Sequence, residues 1–307
     1  MANRVSFING KGGCGKTTSI FHIVGVLAKR GEKVLVVDLD KQRNTTNTLL
    51  MNNGDRPNKT VLDFMKGEAE PGEATAQALF QTRGNAKAKH FGVDCMISDV
   101  DLQDEAALAD IDGEEFGRKL DAFIKERGYT WVLVDMPPSN MTLNHICFRY
   151  MVDYAIIPFS SDIFSVDGYA DIMDIMAKAR EDNPLLNVLG VYLARYMTNC
   201  AVDKFIREQL LDFDTFIDVQ VPLASDIREA VMFGRPISFY KKRTATEWVS
   251  EEKLEWLKEE GSVAEVIKEK KGSILAGQPK KYFVRKVNPS IFAYESLVNE
   301  MEKRMNV

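Results

Sequence analysis

The chain lacks long apolar runs, metal-binding cysteine spacings and an excess of basic residues. No stretch approaches the roughly 18 consecutive apolar residues of a membrane-spanning helix, so the sequence predicts no membrane span. The four cysteines form no C-x-x-C pair and the three histidines are widely separated, which argues against a zinc site. A net charge of −5 excludes a chain-wide basic field for nucleic acid.

Cysteine usage and the early start of the first strand predict a cytoplasmic protein. Scattered cysteines fit reduced thiols rather than a disulfide framework. Because a strand is expected from Arg4, we expect neither a signal peptide nor an N-terminal DNA-reading domain. Cys147 lies in an apolar helical segment, and we interpret it as a buried thiol rather than an iron–sulfur ligand.

A glycine-rich loop is the strongest motif that the chain does contain. From Gly10 the spacing reads G-x-x-x-x-G-K-T and ends at Thr17. An apolar strand precedes it and a segment with helical periodicity, residues 19–30, follows it. This context predicts a phosphate-binding loop in which Lys16 reaches the β- and γ-phosphates and Thr17 ligates Mg²⁺. Lys11 is an extra lysine that could serve a nucleotide held by a facing subunit.

Carboxylates end two further predicted strands. Asp38 and Asp40 follow a predicted strand over residues 33–37, and Asp135 follows the apolar run 131–134. Four apolar residues before an aspartate form the Walker B pattern, which holds the metal or its waters. Asp38 has an alternative interpretation as a helix cap or loop charge.

Alternation of strands and helices predicts the fold class. Apolar runs indicate strands near residues 4–9, 33–38, 93–97, 131–135, 154–158, 187–195 and 216–220. Helical segments between them predict a three-layer α/β/α domain with a mainly parallel twisted sheet. Residues 71–90 are rich in small side chains and show little periodicity, and we interpret them as a helix plus a mobile loop.

These elements together resemble the ParA/MinD group of deviant Walker A P-loop ATPases, within the SIMIBI class. The group's loop K-G-G-x-G-K-T-[ST] is matched at residues 11–18, and its D-x-P-P motif at residues 135–138. Residues 38–44 are similar to its D-x-D-P-Q-G-N motif, with Lys41 and Arg43 in place of proline and glycine. Residues 221–230 and 234–237 resemble the ParA branch, so the likeness covers roughly residues 3–242.

The resemblance implies a role for each matched residue. Lys11 would contact phosphate across an ATP-sandwich homodimer, Lys16 would hold the phosphates, and Asp40 would position the attacking water; these three are the implied catalytic residues. Thr17, Asp40 and Asp135 would serve Mg²⁺. The ATP-binding set would be Lys11, Gly12, Gly13, Cys14, Gly15, Lys16, Thr17 and Thr18, with Pro222 as the candidate for the adenine pocket.

The chain continues beyond the expected end of the ATPase domain, which we place at residues 1–243. Residues 244–307 are predicted to form a helical C-terminal extension packed on the core. Thr244 and Ser262 each have capping-box spacing and predict a helix start, the first helix carrying Trp248, Leu254 and Leu257. A last helix is predicted from Asn288 towards residue 305.

A basic stretch near the C-terminus has two open interpretations. Its residues could contact DNA phosphates, as basic C-terminal residues do in the ParA group, or could form a solvated loop paired with the acidic helix before it. The candidate DNA-binding residues are Lys280, Lys281, Arg285 and Lys286.

The implied function is an ATP-dependent partition or positioning ATPase. It would dimerise on ATP, bind DNA non-specifically at the nucleoid, and hydrolyse ATP when a ParB-like adaptor stimulates it, segregating plasmid or chromosomal DNA. The alternatives are a MinD-like membrane switch and a metabolic P-loop enzyme. The mixed charges of residues 294–307 favour a core-docking helix over a membrane anchor, and Lys11 argues against the metabolic enzyme.

Overall fold

Eleven strands form two sheets in the part of the chain that the structure describes. The computed structural model describes residues 2–82, 87–138, 141–160, 173–174, 176–181, 183–259, 263–270 and 280–306. The strands are β1 Asn3–Phe7, β2 Val34–Asp38, β3 Thr75–Phe80, β4 Lys89–Met96, β5 Trp131–Asp135, β6 Tyr154–Phe159, β7 Asn187–Tyr196, β8 Phe216–Pro222, β9 Thr244–Ser250, β10 Val263–Lys270 and β11 Lys281–Val287.

Helices connect most of these strands. They are α1 Lys16–Lys29, α2 Asn44–Leu49, α3 Val61–Met65, α4 Glu105–Leu108, α5 Gly113–Arg127, α6 Met141–Tyr150, α7 Ala201–Leu210, α8 Ser225–Met232, α9 Ile237–Tyr240, α10 Glu251–Glu259 and α11 Pro289–Met305. A short 3₁₀ helix spans Val100–Gln103. None of the helices in the described residues is long and apolar enough to cross a bilayer.

The large sheet brings the predicted site motifs to one edge. Its strand order is β3-β4-β2-β5-β1-β6-β7-β8, and every pair except β3–β4 is parallel. β5 lies between β1 and β2, with Asp135 in register with Phe7 on one side and Asp38 on the other. The loops that follow these three strands therefore meet at the carboxyl edge, where α/β folds bind their ligands.

Two apolar cores cover the two faces of this sheet. Along β2 the side chains alternate, so that Val34 and Val36 belong to one core while Leu35 and Val37 belong to the other. α1 and α11 pack on the first face, and α3, α5 and α6 pack on the second. The predicted three-layer α/β fold with a mainly parallel sheet and a helical C-terminal part is confirmed, as are all seven predicted strands.

The predicted helix within residues 71–90 is wrong, because this segment contains an edge strand. β3 pairs antiparallel with β4, from Thr75 opposite Met96 to Phe80 opposite Lys89. Its buried side chains alternate at Ala76, Ala78 and Phe80, which is the period of a strand. Two of these three are alanines, so the apolar alternation is weak in the sequence. Part of the predicted loop, residues 83–86, lies outside the described residues.

The predicted helix starts at Thr244 and Ser262 are also wrong. Residues 244–250 form β9 and residues 263–270 form β10, and both pair antiparallel with β11 in a three-stranded sheet. Ser262 lies outside the described residues. Capping-box spacing is local, whereas β-branched and aromatic residues in these segments favour strand pairing. A shorter helix does occur between the strands, α10, and it carries Leu254 and Leu257 as predicted.

The last helix is confirmed and belongs to the main core. The Asn288 side chain accepts a hydrogen bond from the amide of Ile291 and caps α11, with Pro289 in its first turn. Tyr294, Leu297, Val298 and Met301 are fully buried against the face that α1 also covers. The Asn288 amide donates to the Arg243 carbonyl, so residues 244–287 leave and rejoin the core at one point. The division into residues 1–243 and 244–307 stays a prediction.

Candidate nucleotide-binding site

The loop between β1 and α1 has the backbone that its glycines predict. Gly13 and Gly15 have φ angles of 78° and 98°, in the left-handed region that other residues rarely adopt. Gly15 lies directly before α1, which begins at Lys16. The loop amides and the helix N-terminus therefore converge on one side, an arrangement that attracts phosphate.

A cavity of about 560 Å³ opens above this loop. That volume falls within the range of roughly 300–1,000 Å³ that small-molecule sites occupy. Its walls combine the phosphate-binding loop, polar residues of the β2–α2 turn and an apolar side from β8 and α8. The lining residues are residues 12–19, Asp40, Asn44, Thr48, Pro138, Ala194, Arg195, residues 221–224, Ile227, Arg228, Val231 and Tyr294.

Lys16 is held over the loop by backbone carbonyls. Its side chain is only 7% exposed, and Nζ donates to the carbonyl oxygen of Asn9 at 3.1 Å and to that of Lys11 at 3.5 Å. A buried ammonium group requires such partners. A phosphate oxygen is a stronger, charged acceptor, so the same ammonium can bind the phosphates of a nucleotide in this cavity.

Asp135 is a buried carboxylate bonded to the first turn of α1 and to α2. It is buried at the end of β5, and Oδ2 accepts hydrogen bonds from the hydroxyls of Thr17 and Thr45, each at 2.6 Å. Oδ1 is buried without a hydrogen-bond partner among the described residues. Burial raises the pKa of this carboxyl group, which favours a nearby cation. Carboxylate and hydroxyl oxygens are ligands that Mg²⁺ prefers, so this set fits Mg²⁺.

Asp38 stabilises the turn that carries Asp40 into the site. It is fully buried, and Oδ2 accepts from the Thr46 amide at 2.8 Å and its hydroxyl at 2.7 Å, while Oδ1 accepts from the Asp40 amide at 3.1 Å. Burial, with the nearby Asp135 carboxylate, raises the pKa of Asp38 to about 7. These bonds fix the turn between β2 and α2, which agrees with the loop-charge interpretation of Asp38.

Asp40 is the carboxylate that reaches the cavity from that turn. It is half-buried, Oδ1 accepts from the Gln42 amide at 2.9 Å, and its carbonyl accepts from the Ser98 hydroxyl at 2.7 Å. Arg43 has a φ of 58°, so it adopts the left-handed conformation that the glycine of the related motif would adopt more easily.

The apolar wall contains Pro222 and, beside it, a residue that the motifs did not identify. Pro222 ends β8 and lines the cavity. Arg195 lines it as well, with Nη1 donating to the Gly13 carbonyl at 2.8 Å and a φ of 59°. No motif in the sequence marks Arg195 as a residue of this site. Thr45 was also missed, although it directly follows the matched 38–44 motif.

Lys11 does not line the cavity of its own chain. Its amide donates to the side-chain carbonyl of Asn9 at 2.9 Å, and its side chain is partly exposed. The loop residues from Gly12 to Thr18 do line the cavity. The extra lysine therefore differs in position from every other residue of the matched motif.

Three of the four basic candidates lie in β11 and do not share one face, and Lys280 directly precedes this strand. Lys281 and Arg285 lie four positions apart and therefore point to the same side of β11, whereas Lys286 points to the other side. Arg285 pairs with Glu265 at 2.9 Å, and Lys280 lies 3.9 Å from Glu269. Both acidic partners come from β10. The predicted core thiol, Cys147, is fully buried, as expected.

Comparison with known proteins identifies relatives of this chain. A family model described as an AAA domain matches residues 2–188. The chromosome partitioning protein ParA of Caulobacter vibrioides is 29% identical over 249 residues, which cover 78% of this chain and 88% of that protein. The chromosome-partitioning ATPase Soj of Treponema pallidum is 28% identical over 250 residues, which cover 80% of this chain and 92% of that protein.

Solved structures share the fold. The septum site-determining protein MinD of Pyrococcus horikoshii, complexed with Mg-ADP, has a TM-score of 0.60 at 24% identity and covers 78% of this chain and 89% of its own. Cobyrinic acid a,c-diamide synthase of Mycobacterium smegmatis, with bound ADP and magnesium, has a TM-score of 0.62 at 22% identity, covering 76% and 91%. The chain therefore belongs to the AAA-domain family that matches residues 2–188 and, within it, to the ParA/MinD group of P-loop ATPases, whose cofactors are ATP and Mg²⁺.

Proposed function

We propose that this chain is a ParA-type partition ATPase that forms a homodimer on ATP, binds DNA non-specifically and hydrolyses ATP when an adaptor protein stimulates it. Relatives named for chromosome partitioning support the general function. The position of Lys11 is the single observation that carries the dimer. We also propose that the protein acts in the cytoplasm at the nucleoid, on plasmid or chromosomal DNA.

In the proposed dimer, Lys11 would serve the nucleotide of the partner subunit. The amides of residues 12–18 and the Lys16 ammonium suffice to bind the phosphates of one nucleotide, and Lys11 is outside that cavity lining. A cation supplied across an interface can accelerate phosphoryl transfer by about 10³–10⁵. Hydrolysis would therefore depend on assembly, which is the property that a switch requires.

The residues around Asp135 would hold Mg²⁺. Thr17 would bind the ion through its hydroxyl oxygen. Asp135 would contact it through a water molecule at Oδ1, which has no hydrogen-bond partner among the described residues. Asp40 would contact it from the adjacent turn. When bound, Mg²⁺ neutralises charge on the β- and γ-phosphates. Of the three aspartates at the site, Asp38, Asp40 and Asp135, Asp40 is the partly exposed one. We therefore assign to Asp40 the orientation of the attacking water.

The apolar wall would bind the base. Pro222 and Leu223 lie at the end of β8, opposite the loop, and offer flat apolar contact. Arg195 would be a polar neighbour of the α-phosphate side, because its guanidinium already contacts the loop carbonyl of Gly13. This arrangement places the base and the phosphates on two sides of one cavity.

DNA contact would come from the small sheet. The proposed phosphate contacts come from Lys280, Lys281, Arg285 and Lys286. A dimer would contain two copies of this set. The ion pairs of Lys280 and Arg285 with β10 glutamates are exposed, and such pairs contribute only about 0–1 kcal/mol, so phosphates can compete for these cations.

The packing of α11 disfavours a membrane switch. An amphipathic anchor must present its apolar face to lipid, whereas Tyr294, Leu297 and Val298 are fully buried in the core. The position of Lys11 disfavours a metabolic P-loop enzyme, since such an enzyme needs no cation from a second subunit.

An ATP-dependent gel shift tests the proposal. We expect wild-type protein to retard random-sequence duplex DNA with ATP and Mg²⁺, less at higher salt, and not with ADP. Reversing Lys280, Lys281, Arg285 and Lys286 to glutamate should abolish the shift while ATP-dependent dimerisation persists. A variant that still shifts DNA would remove these residues from the proposal, and a shift independent of nucleotide would contradict the switch.

A further inference from the structure

Among the described residues, a helix covers one face of the small sheet, and the other face, here called the open face, carries exposed side chains. α10 packs on one side, where Leu254 and Leu257 bury Val249 of β9 and Val284 of β11. Tyr282 lies on this side too, and its hydroxyl donates to Glu251 of α10 at 3.1 Å. Because side chains alternate along a strand, the residues next to these point to the opposite face.

The open face carries two aromatic rings in contact. Trp248 of β9 lies directly opposite Phe283 of β11, and their ring centroids are 5.2 Å apart at an interplanar angle of 40°. Trp248 is 48% exposed. An aromatic ring that stays half exposed to water contributes only part of its possible burial energy to folding. Together the two rings form an exposed apolar surface on which a flat ligand can pack.

Basic side chains surround this aromatic pair. Lys268 of β10 lies opposite Phe283, and Lys281 and Arg285 flank Phe283 two residues away along β11. All three are exposed. Neighbouring strands are about 4.8 Å apart, so the three cations lie within reach of one ligand on the rings. The acidic residue of this group, Glu265, is paired with Arg285.

Charge is distributed unequally over the two sides of the unit. On the helix side, α10 carries the exposed residues Glu251, Glu252, Lys253, Glu255 and Lys258, with Lys258 paired to Glu255 at 2.8 Å. The open side displays the aromatic pair, the three cations and Glu265. A polyanion is therefore attracted to the open side more strongly than to the helix side.

We propose that the open face of the small sheet, built on Trp248 and Phe283, binds single-stranded nucleic acid. Bases would stack on the two rings while Lys268, Lys281 and Arg285 contact the phosphates. Base faces are hidden inside a duplex, so the rings favour an unpaired strand. This activity goes beyond the proposed partition function, because it needs neither ATP nor a dimer and uses three residues, Trp248, Lys268 and Phe283, outside the proposed duplex-binding set.

Fluorescence anisotropy on the full-length protein without nucleotide tests the proposal. The probes are fluorescein-labelled dT20, the RNA U20, and a duplex of the same length. We expect wild-type protein to bind dT20 or U20 more tightly than the duplex. Trp248→Ala should weaken single-strand binding by roughly 5- to 150-fold, the loss of one stacked base, and change duplex binding by less than about 2-fold. Lys268→Ala should lower the salt slope by about 0.7.

Two control variants separate stacking from damage to the fold. Trp248→Phe keeps a ring and should retain single-strand affinity within about 3-fold. Phe205→Ala removes a ring that is 60% exposed on α7 and should change nothing. Unchanged single-strand affinity in a folded Trp248→Ala variant, or no binding of either single strand by wild-type protein, overturns the proposal and leaves this face to a protein partner. Failure of the ATP-dependent duplex shift would not alter these results.

Discussion

At the residue scale, burial separates the roles of the acidic groups around the cavity. Asp38 and Asp135 are enclosed and bonded to threonine hydroxyls or amides, whereas Asp40 reaches the cavity from a turn. Asp135 would organise the metal-binding side of the cavity, and Asp38 stabilises the turn that carries Asp40. Asp40, which is partly exposed, is the carboxylate that can contact a water molecule beside the nucleotide.

Asp40→Ala is expected to leave ATP binding within about 3-fold of wild type and to reduce hydrolysis by about 10²-fold or more, because positioning groups contribute that much. The ATP-bound dimer should then accumulate. Phosphate release measures the rate, and a fluorescent ATP analogue measures binding. Thr48→Ala, a change at another lining residue, serves as the matched control. Near wild-type hydrolysis in Asp40→Ala would remove this residue from its proposed role.

Asp38 should make the stability of the nucleotide-free protein depend on pH. Its folded-state pKa is raised to about 7, against about 3.9 in an unfolded chain. Between these values the folded state keeps a proton that the unfolded state releases, so its stabilising contribution is lost as the pH rises from about 4 towards 7. His22, whose pKa is lowered to about 3 by burial, acts in the opposite direction, so wild type alone is a poor test.

Comparison with Asp38→Asn cancels the contribution of His22, which is present in both proteins, and reports on Asp38 together with the neighbouring Asp135 carboxylate. The advantage of wild type in the free energy of unfolding should shrink between pH 5 and pH 8, by at most about 1.4 kcal/mol per pH unit for one proton. Urea titrations without Mg²⁺ or nucleotide provide the measurement. A difference between the two proteins that stays constant with pH would contradict the raised pKa.

Residue spacing in the sequence predicted the site residues that lie within one motif. It did not predict the site residues that come together only in the folded chain. Lys16 and Thr17 follow from the loop motif and Asp135 from the strand-end pattern. Arg195 and Thr45 reach the site from other elements, and their contacts with Gly13 and Asp135 join residues far apart in sequence. No local pattern marks such a contact.

At the scale of elements, the buried parallel strands were predictable and the edge strands were not. A central strand such as β2 is a continuous apolar run because helices cover both its faces. β3 and β9 are edge strands with polar or small residues, and pairing with a distant partner decides their structure. Local capping signals at Thr244 therefore predicted a helix where the chain forms a strand.

Replacing residues 244–287 by a short Gly-Ser linker should leave a folded ATPase. The ends of this segment meet at the hydrogen bond between Asn288 and Arg243, and its small core of Val249, Leu254, Leu257 and Val284 is a separate cluster. We expect one cooperative thermal transition within about 5 °C of wild type and unchanged ATP binding, but loss of single-strand binding.

The matched control for this deletion is truncation after residue 288. It removes α11, whose buried residues complete the main core, and should prevent stable folding because each large buried side chain contributes about 2–5 kcal/mol. A linker variant that unfolds like the truncation would contradict the independence of residues 244–287.

At the scale of the whole molecule, the order of strands turns dispersed motifs into one site. β1, β5 and β2 are neighbours although the segments between them are long, so the loop lysines and the acidic strand ends share one edge. The same geometry leaves Lys11 outside the cavity that the rest of its loop lines. A monomer therefore contains a nearly complete ATPase site, and the proposed dimer supplies the remaining cation.

The Lys11→Ala variant tests this account most directly, through sedimentation velocity and phosphate release in ATP and Mg²⁺. Lys66→Ala, an exposed lysine on the same domain, is the control. We predict that Lys11→Ala binds ATP within about 3-fold of wild type, sediments as a monomer and loses hydrolysis by about 10³-fold or more. An ATP-bound dimer that hydrolyses at the wild-type rate would contradict the proposed role of Lys11 across the interface.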